Sequence, residues 1–124
     1  MNSPTIMIID DDLLSNTFNT MIIQITHPDA EIQVYTNALE AMENLKNIQK
    51  VKPDLIFLDL NMPMMNGWDF LEEYKKLDLN ISIVLVTSSN DPDDKLKLMK
   101  YKEIKRYFVK PISIDNLQDI TQII

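Results

Sequence analysis

At 124 residues, 45% of them apolar and 25% charged, the chain has the composition of one folded domain with one core, which excludes intrinsic disorder. A net charge of −7 speaks against a general nucleic-acid or anionic-membrane binder, and no apolar run approaches the ~18 residues of a membrane span. The absence of cysteine removes disulfides and thiolate metal sites, and with an amino terminus that lacks a signal-peptide pattern it makes the cytoplasm the expected location.

Short β-like runs alternate with helical ones along the chain. Thr5 to Asp10 (TIMIID) is rich in branched apolar residues and predicts a buried strand. Leu14, Phe18, Met21 and Ile25 then repeat at helical spacing. Glu31 to Tyr35 alternates polar and apolar, as a strand nearer a sheet edge does. Asn37 followed by Glu40 is a helix cap with its reciprocal partner, and Ala38, Ala41, Met42, Leu45 and Ile48 mark one face of the helix it opens. After Pro53, Asp54 to Leu60 (DLIFLDL) predicts a third strand. A loop containing Pro63 and Gly67 leads into a helix with Phe70, Leu71, Tyr74 and Leu77. Ile81 to Val86 predicts the fourth strand, and Asn90-Asp91-Pro92 starts a helix running to about Tyr101. Arg106 to Val109 predicts a short fifth strand, ended by Pro111. Ser113 or Asp115 opens a last helix with Leu117, Ile120 and Ile124 inward.

Gly67 is the only glycine, where roughly nine are expected at ~7% usage. A sequence that avoids glycine elsewhere keeps this one for a backbone reason, a positive φ or a close approach.

Five strand–helix units in strict alternation imply an α/β fold, an open, doubly wound, five-stranded parallel sheet with helices on both faces, in flavodoxin-like order 2-1-3-4-5. The expected organisation is a single domain over 1–124 with no output domain. In such a sheet ligands bind beyond the carboxyl ends of the strands, at the switch in strand order between strands one and three. Asp10, Asp11 and Asp12 end strand one, and Asp59 ends strand three. Thr87, Ser88 and Ser89 end strand four, and Lys110 ends strand five. Polar and charged groups from four strands therefore converge on one edge.

Asp10, Asp11 and Asp59 repel one another there; two like charges at 4 Å cost roughly 4 kcal/mol at an effective dielectric of 20. A divalent cation relieves this, and oxygen-only donors favour magnesium, calcium or manganese. The protein ligands are too few for a calcium cage, so magnesium, which keeps several waters, fits better. Asp12 reads instead as the cap of the first helix. Lys110 near the acids makes either an ion pair or a phosphate contact, and the Thr87 hydroxyl could donate to a phosphoryl oxygen. A carboxylate can attack phosphorus to give an acyl phosphate, and phosphoryl transfer needs mainly positioning and charge stabilisation. The residues alone thus suggest aspartate phosphorylation.

Four segments, MIIDDD (7–12), LDLNMPMMNGWDF (58–70), LVTSS (85–89) and YFVKP (107–111), resemble those of response-regulator receiver domains, with single-domain chemotaxis regulators as the nearest architecture. Each is weak alone. Together, with spacings of 49, 28 and 23 residues between Asp10, Asp59, Thr87 and Lys110, they are specific, and the likeness runs from about Thr5 to Ile124. The resemblance implies a phosphoprotein in a two-component phosphorelay. Asp59 would accept a phosphoryl group from a histidine kinase or histidine phosphotransfer protein. Asp11 and Asp59 would ligate Mg2+ through carboxylates, Asn61 through its backbone carbonyl and Asp10 through a metal-bound water. Lys110 would pair with the phosphoryl group, Thr87 would move toward it and Tyr107 would rotate inward. It also implies a cis Lys110–Pro111 bond, a loop-ending role for Gly67, and an influence of Asn61 and Ser89 on dephosphorylation. The output surface would lie within 91–124 and bind a downstream effector protein, and phosphorylation could produce a homodimer. Such a module is not a conventional enzyme, although it catalyses its own phosphorylation and slow dephosphorylation.

Seven of the twelve basic residues lie between Lys95 and Lys110. They read either as a solvated helix face or as a site for an acidic protein, whose binding Lys97→Glu and Lys102→Glu would weaken. His27 reads as a surface loop residue, Trp68 as packing at the start of the third helix, and Met62, Met64 and Met65 as loop and core filling. Tyr107 reads either as a strand aromatic or as the switch residue. Three other functions compete. An aspartate-nucleophile phosphohydrolase carries its nucleophile early, in an Asp-x-Asp pattern, whereas here Asp59-Leu60-Asn61 comes third. A flavin electron carrier needs a phosphate loop after strand one, where Asp10-Asp11-Asp12 would repel phosphate. A phosphorylation-independent receiver-like binding module does not need the intact acids, Thr87 and Lys110.

Overall fold

The computed structural model describes residues 3–88 and 91–124. Five strands, β1 (Thr5–Ile9), β2 (Glu31–Tyr35), β3 (Leu55–Leu58), β4 (Ser82–Thr87) and β5 (Ile104–Val109), form one parallel sheet in the order β2-β1-β3-β4-β5. The helices are α1 (Leu13–Thr26), α2 (Ala38–Lys46), α3 (Gly67–Lys75), α4 (Pro92–Leu98) and α5 (Ile114–Leu117), followed by a 3-10 turn at Ile120–Ile123. The expected doubly wound, flavodoxin-like architecture and strand order are both present.

The three inner strands are apolar on both faces because both faces are covered. On one face Met7, Ile9, Ile56, Leu58, Ile83 and Leu85 pack with residues of α2 and α3. On the other, Ile6, Ile8, Leu55, Phe57, Val84 and Val86 pack with Ile22 and Ile23 of α1 and with Leu117. β2 and β5 are the edges and are only partly buried. Asp12 caps α1 by accepting from the Leu14 N–H at 3.0 Å, and Asn37 caps α2 by accepting from the Glu40 N–H at 2.8 Å. Reciprocal capping boxes stand at Asn66/Asp69 on α3 and at Ser113/Asn116 on α5.

Several expected boundaries and faces differ. The Leu14, Phe18, Met21 and Ile25 stripe faces outward, with Leu14 81% exposed, while α1 buries Asn16, Asn19, Ile22 and Ile23. The cause lies at the end of β1, where the Asn16 amide donates to the Asp10 carbonyl at 2.8 Å and fixes the rotation of the helix. Ile48 is exposed because α2 ends at Lys46. The fourth helix stops at Leu98 instead of near Tyr101, whose N–H closes a tight turn onto the Leu98 carbonyl at 3.0 Å. β5 starts at Ile104, two residues before the expected Arg106, because Ile104 pairs with Ile83 across a bulge. The last helix breaks after Leu117, leaving Ile124 exposed while Leu117 and Ile120 are buried. Asn90 and Ser89 lie outside the described residues.

Gly67 is kept for close approach, not for positive φ, which in this region falls on exposed Met64 (φ 67°). A Cβ on Gly67 would stand 2.8 Å from the Asp59 carbonyl oxygen and 2.8 Å from the Leu60 Cα. The first residue of α3 therefore rests on the backbone that carries Asp59, and the Gly67 N–H donates to the Leu60 carbonyl at 2.9 Å. Gly67→Ala forces rigid backbone apart and is expected to cost about 1–3 kcal/mol. A shift of the urea midpoint to lower concentration at unchanged slope checks this; an unmoved midpoint would refute the contact.

Candidate functional site

The strand ladders run one rung past their last paired residues, and those rungs are the polar ones. The Asp10 N–H donates to the Tyr35 carbonyl (3.1 Å), the Asp59 N–H to the Ile9 carbonyl (3.0 Å) and the Lys110 N–H to the Thr87 carbonyl (2.7 Å). Asp10, Asp59 and Lys110 are thus fixed by the sheet, while Asp11 and Asn61 follow in the loops.

Asp10 and Asp59 are buried at this edge and Asp11 is exposed. One carboxylate oxygen from each lies within 4.8 Å of the other two. Lys110 reaches across from β5, its ammonium 2.7 Å from Asp10 Oδ2 and 3.8 Å from Asp59 Oδ1, and a cis peptide joins it to Pro111. The Asp12 N–H donates to Asp10 Oδ1 at 3.0 Å. The exposed Asn61 offers its N–H to Asp59 Oδ1 and its amide to Thr87 Oγ1, each at 3.4 Å. Thr87 is fully buried. Tyr107 is half-buried on β5 opposite Leu85 and packs against the core cluster.

Burial, then the Asp10 charge, push the Asp59 carboxyl up to about 7, against the lowering pull of Lys110 and the Asn61 N–H. Three carboxylates answered by one close ammonium leave uncompensated negative charge, and the donor set is oxygen alone. Exposed Asp11 leaves one side of the cluster open for water ligands. The cluster therefore fits a hard divalent cation.

The structure brings together Asp10, Asp11, Asp59, Asn61, Thr87 and Lys110. Asp12 stands apart as the α1 cap. Sequence reasoning missed Ser15 and Asn16, which touch Lys110 and Asp10 respectively; a serine three residues after a capping aspartate was the available signal. The basic run does not form one face. Lys97 sits over the Trp68 ring at 5.4 Å, and Lys110 is in the acidic cluster. Lys102 and Lys105 line a cavity of about 550 Å³ beside Ser82, at the far end of β4. His27 is the half-buried α1 cap, with Nδ1 2.9 Å from Thr26 Oγ1. Among the described residues, no helix is long and apolar enough to cross a membrane.

Fold and site together define a flavodoxin-like domain with a cation-competent acidic pocket at its switch point. The model of the response regulator receiver domain matches residues 6–122, and the chain belongs to that family. It is thus a phospho-accepting module of two-component signalling. Sporulation initiation phosphotransferase F of Bacillus subtilis is 29% identical over 126 residues, covering 96% of this chain and 91% of the relative. A protein-glutamate methylesterase/protein-glutamine glutaminase of Methanospirillum hungatei is 29% identical over 116 residues, 93% of this chain, but the chain spans only 33% of that protein. A two-component response regulator from Cytophaga hutchinsonii superposes with a TM-score of 0.86 at 29% identity, over 98% of this chain and 96% of that one.

A folded value of about 7 for Asp59, above the ordinary 3.8, has a stability consequence. The group's contribution to folding is fully present at acid pH and is lost as pH rises from about 4 through about 7. In metal-free buffer, the wild type is expected to lose stability across that window. Asp59→Asn lacks this loss, so its advantage in denaturation midpoint grows with pH. Parallel curves for the two proteins would count against the shift.

Proposed function

We propose that Asp59 is the acceptor, taking a phosphoryl group from a phosphohistidine on a histidine kinase or histidine phosphotransfer protein. The observation that carries this reading is the convergence of Asp10, Asp11, Asp59, Thr87 and Lys110 on one strand edge, with Asp59 buried at its centre. One Asp59 oxygen attacks phosphorus, the N–P bond breaks, and the imidazole leaves with the bonding electron pair and takes a proton from water. Asp11, Asp59 and the Asn61 backbone carbonyl would hold Mg2+, with Asp10 acting through a bound water, and the bound ion would supply positive charge against the phosphoryl oxygens. Lys110, already 3.8 Å from Asp59, meets a phosphoryl oxygen from the other side. The Thr87 hydroxyl donates to another and draws its strand end inward, and half-buried Tyr107 follows into the space left.

The domain over 1–124 acts in this reading as a signalling module in the cytoplasm, without turnover of a free substrate. Its output goes to a downstream effector protein through the surface formed by 91–124, with homodimerisation on phosphorylation as a further route.

Intact mass with magnesium and acetyl phosphate tests the acceptor. One phosphoryl adduct on the wild type, absent in Asp59→Asn and without metal, is the expected result. A wild type that stays unmodified, and whose Trp68 fluorescence ignores beryllofluoride, would favour the phosphorylation-independent binding module.

The phosphodonor's approach has a matching surface. Exposed Leu14 and Phe18 on α1 border a groove that ends at Lys110 and Pro111. An apolar helix face beside the acceptor suits a helical partner. Phe18→Glu is expected to slow phosphotransfer from the protein donor tenfold or more relative to phosphorylation by acetyl phosphate. Equal slowing with both donors would remove α1 from the docking surface.

A further inference from the structure

The Lys110 ammonium has three N–H donors, and the structure places three oxygen atoms around it. Asp10 Oδ2 lies at 2.7 Å, Asp59 Oδ1 at 3.8 Å and Ser15 Oγ at 3.3 Å. The Ser15 hydroxyl accepts from Lys110 and donates to Asp12 Oδ2 at 3.3 Å, while Asp12 Oδ1 caps α1 by accepting from the Leu14 N–H. A continuous hydrogen-bonded path thus runs from the lysine to the first turn of α1.

That path answers a geometric problem. Asp10 holds Lys110 at contact distance, whereas Asp59, the atom that reacts, is more than an ångström further off. With only the two carboxylates present, Coulomb attraction draws the ammonium onto Asp10 and away from the acceptor. Ser15 adds a third acceptor, from α1, that restrains the ammonium while it stays in contact with Asp10 and within 3.8 Å of Asp59.

We infer that Ser15 is a positioning residue for Lys110, fixing the ammonium so that it meets the incoming phosphoryl oxygens without rearrangement. This rests on the reading of Asp59 as acceptor. Ser15 touches neither Asp59 nor the phosphoryl group in this role; it acts through the lysine, as a rigid support shell does. One neutral acceptor contributes about 1 kcal/mol, which corresponds to roughly fivefold in rate.

The test is single-turnover phosphorylation by acetyl phosphate with magnesium, alongside beryllofluoride affinity read by Trp68 fluorescence and the urea midpoint. Ser15→Ala is expected to lower both rate and beryllofluoride affinity about fivefold with little change in midpoint, and Ser15→Thr, which keeps the hydroxyl, to restore most of each. In a Lys110→Ala background, adding Ser15→Ala is expected to change the slow residual rate less than twofold. A wild-type rate for Ser15→Ala, or a full fivefold loss that persists without the lysine, overturns the inference while leaving the Asp59 reading intact. A wild type that forms no Asp59-dependent adduct removes both together.

Discussion

The structure turns on a charge imbalance. Three carboxylates meet within 4.8 Å at the only place in a doubly wound sheet where neighbouring connections diverge. At that separation each like-charge pair costs roughly 3–4 kcal/mol at an effective dielectric of 20. Lys110 offsets part of this, most strongly at Asp10, 2.7 Å away. At Asp59 burial first, and the Asp10 charge second, push the carboxyl up to about 7. A site left short of positive charge is one whose oxygen donors suit a hard divalent cation.

Such a cluster is useful only if its geometry is rigid, and the sheet supplies the rigidity. Asp10, Asp59 and Lys110 each occupy the rung after the last strand pair, so their backbones are hydrogen-bonded as strand residues are. Gly67 lets α3 start directly on the Asp59–Leu60 backbone, and Asn16 ties α1 to the Asp10 carbonyl. Asp12 and Ser15 then connect the α1 cap to the lysine. Helices from both faces of the sheet are therefore pinned to the same few residues. A change of charge or bonding at Asp59 is felt first by the backbone groups nearest it.

Much of this was legible in the sequence. The inner strands are continuous apolar runs and end in Asp10, Asp59 and Thr87, so register and polarity change together at one position. What periodicity could not reveal was orientation decided by polar contacts. The stripe of Leu14, Phe18, Met21 and Ile25 is the more hydrophobic side of α1, yet it faces outward because Asn16 and Asn19 are turned in toward the sheet end. The single glycine signalled a backbone demand, but only coordinates distinguish close approach from positive φ. The spacing from Asp12 could have singled out Ser15, but not its contact with Lys110, which lies 95 residues away.

The same distinction between apolar burial and polar contact sets how α4 is held. None of its seven residues, Pro92–Leu98, is fully buried, and its apolar anchorage comes from half-buried Leu98 against the core. Lys97 of α4 lies over Trp68 of α3, and just beyond the helix Tyr101 stacks on Trp68 with centroids 5.8 Å apart, lies under Lys75 and donates its hydroxyl to Glu72. Contacts of this kind are each worth about a kilocalorie or less at exposed positions, so they add little to what Leu98 contributes. Trp68 follows Gly67, which rests on the Asp59 backbone. Through one indole ring, Lys97 of α4 thus meets the residue that follows the glycine packed on the Asp59–Leu60 backbone.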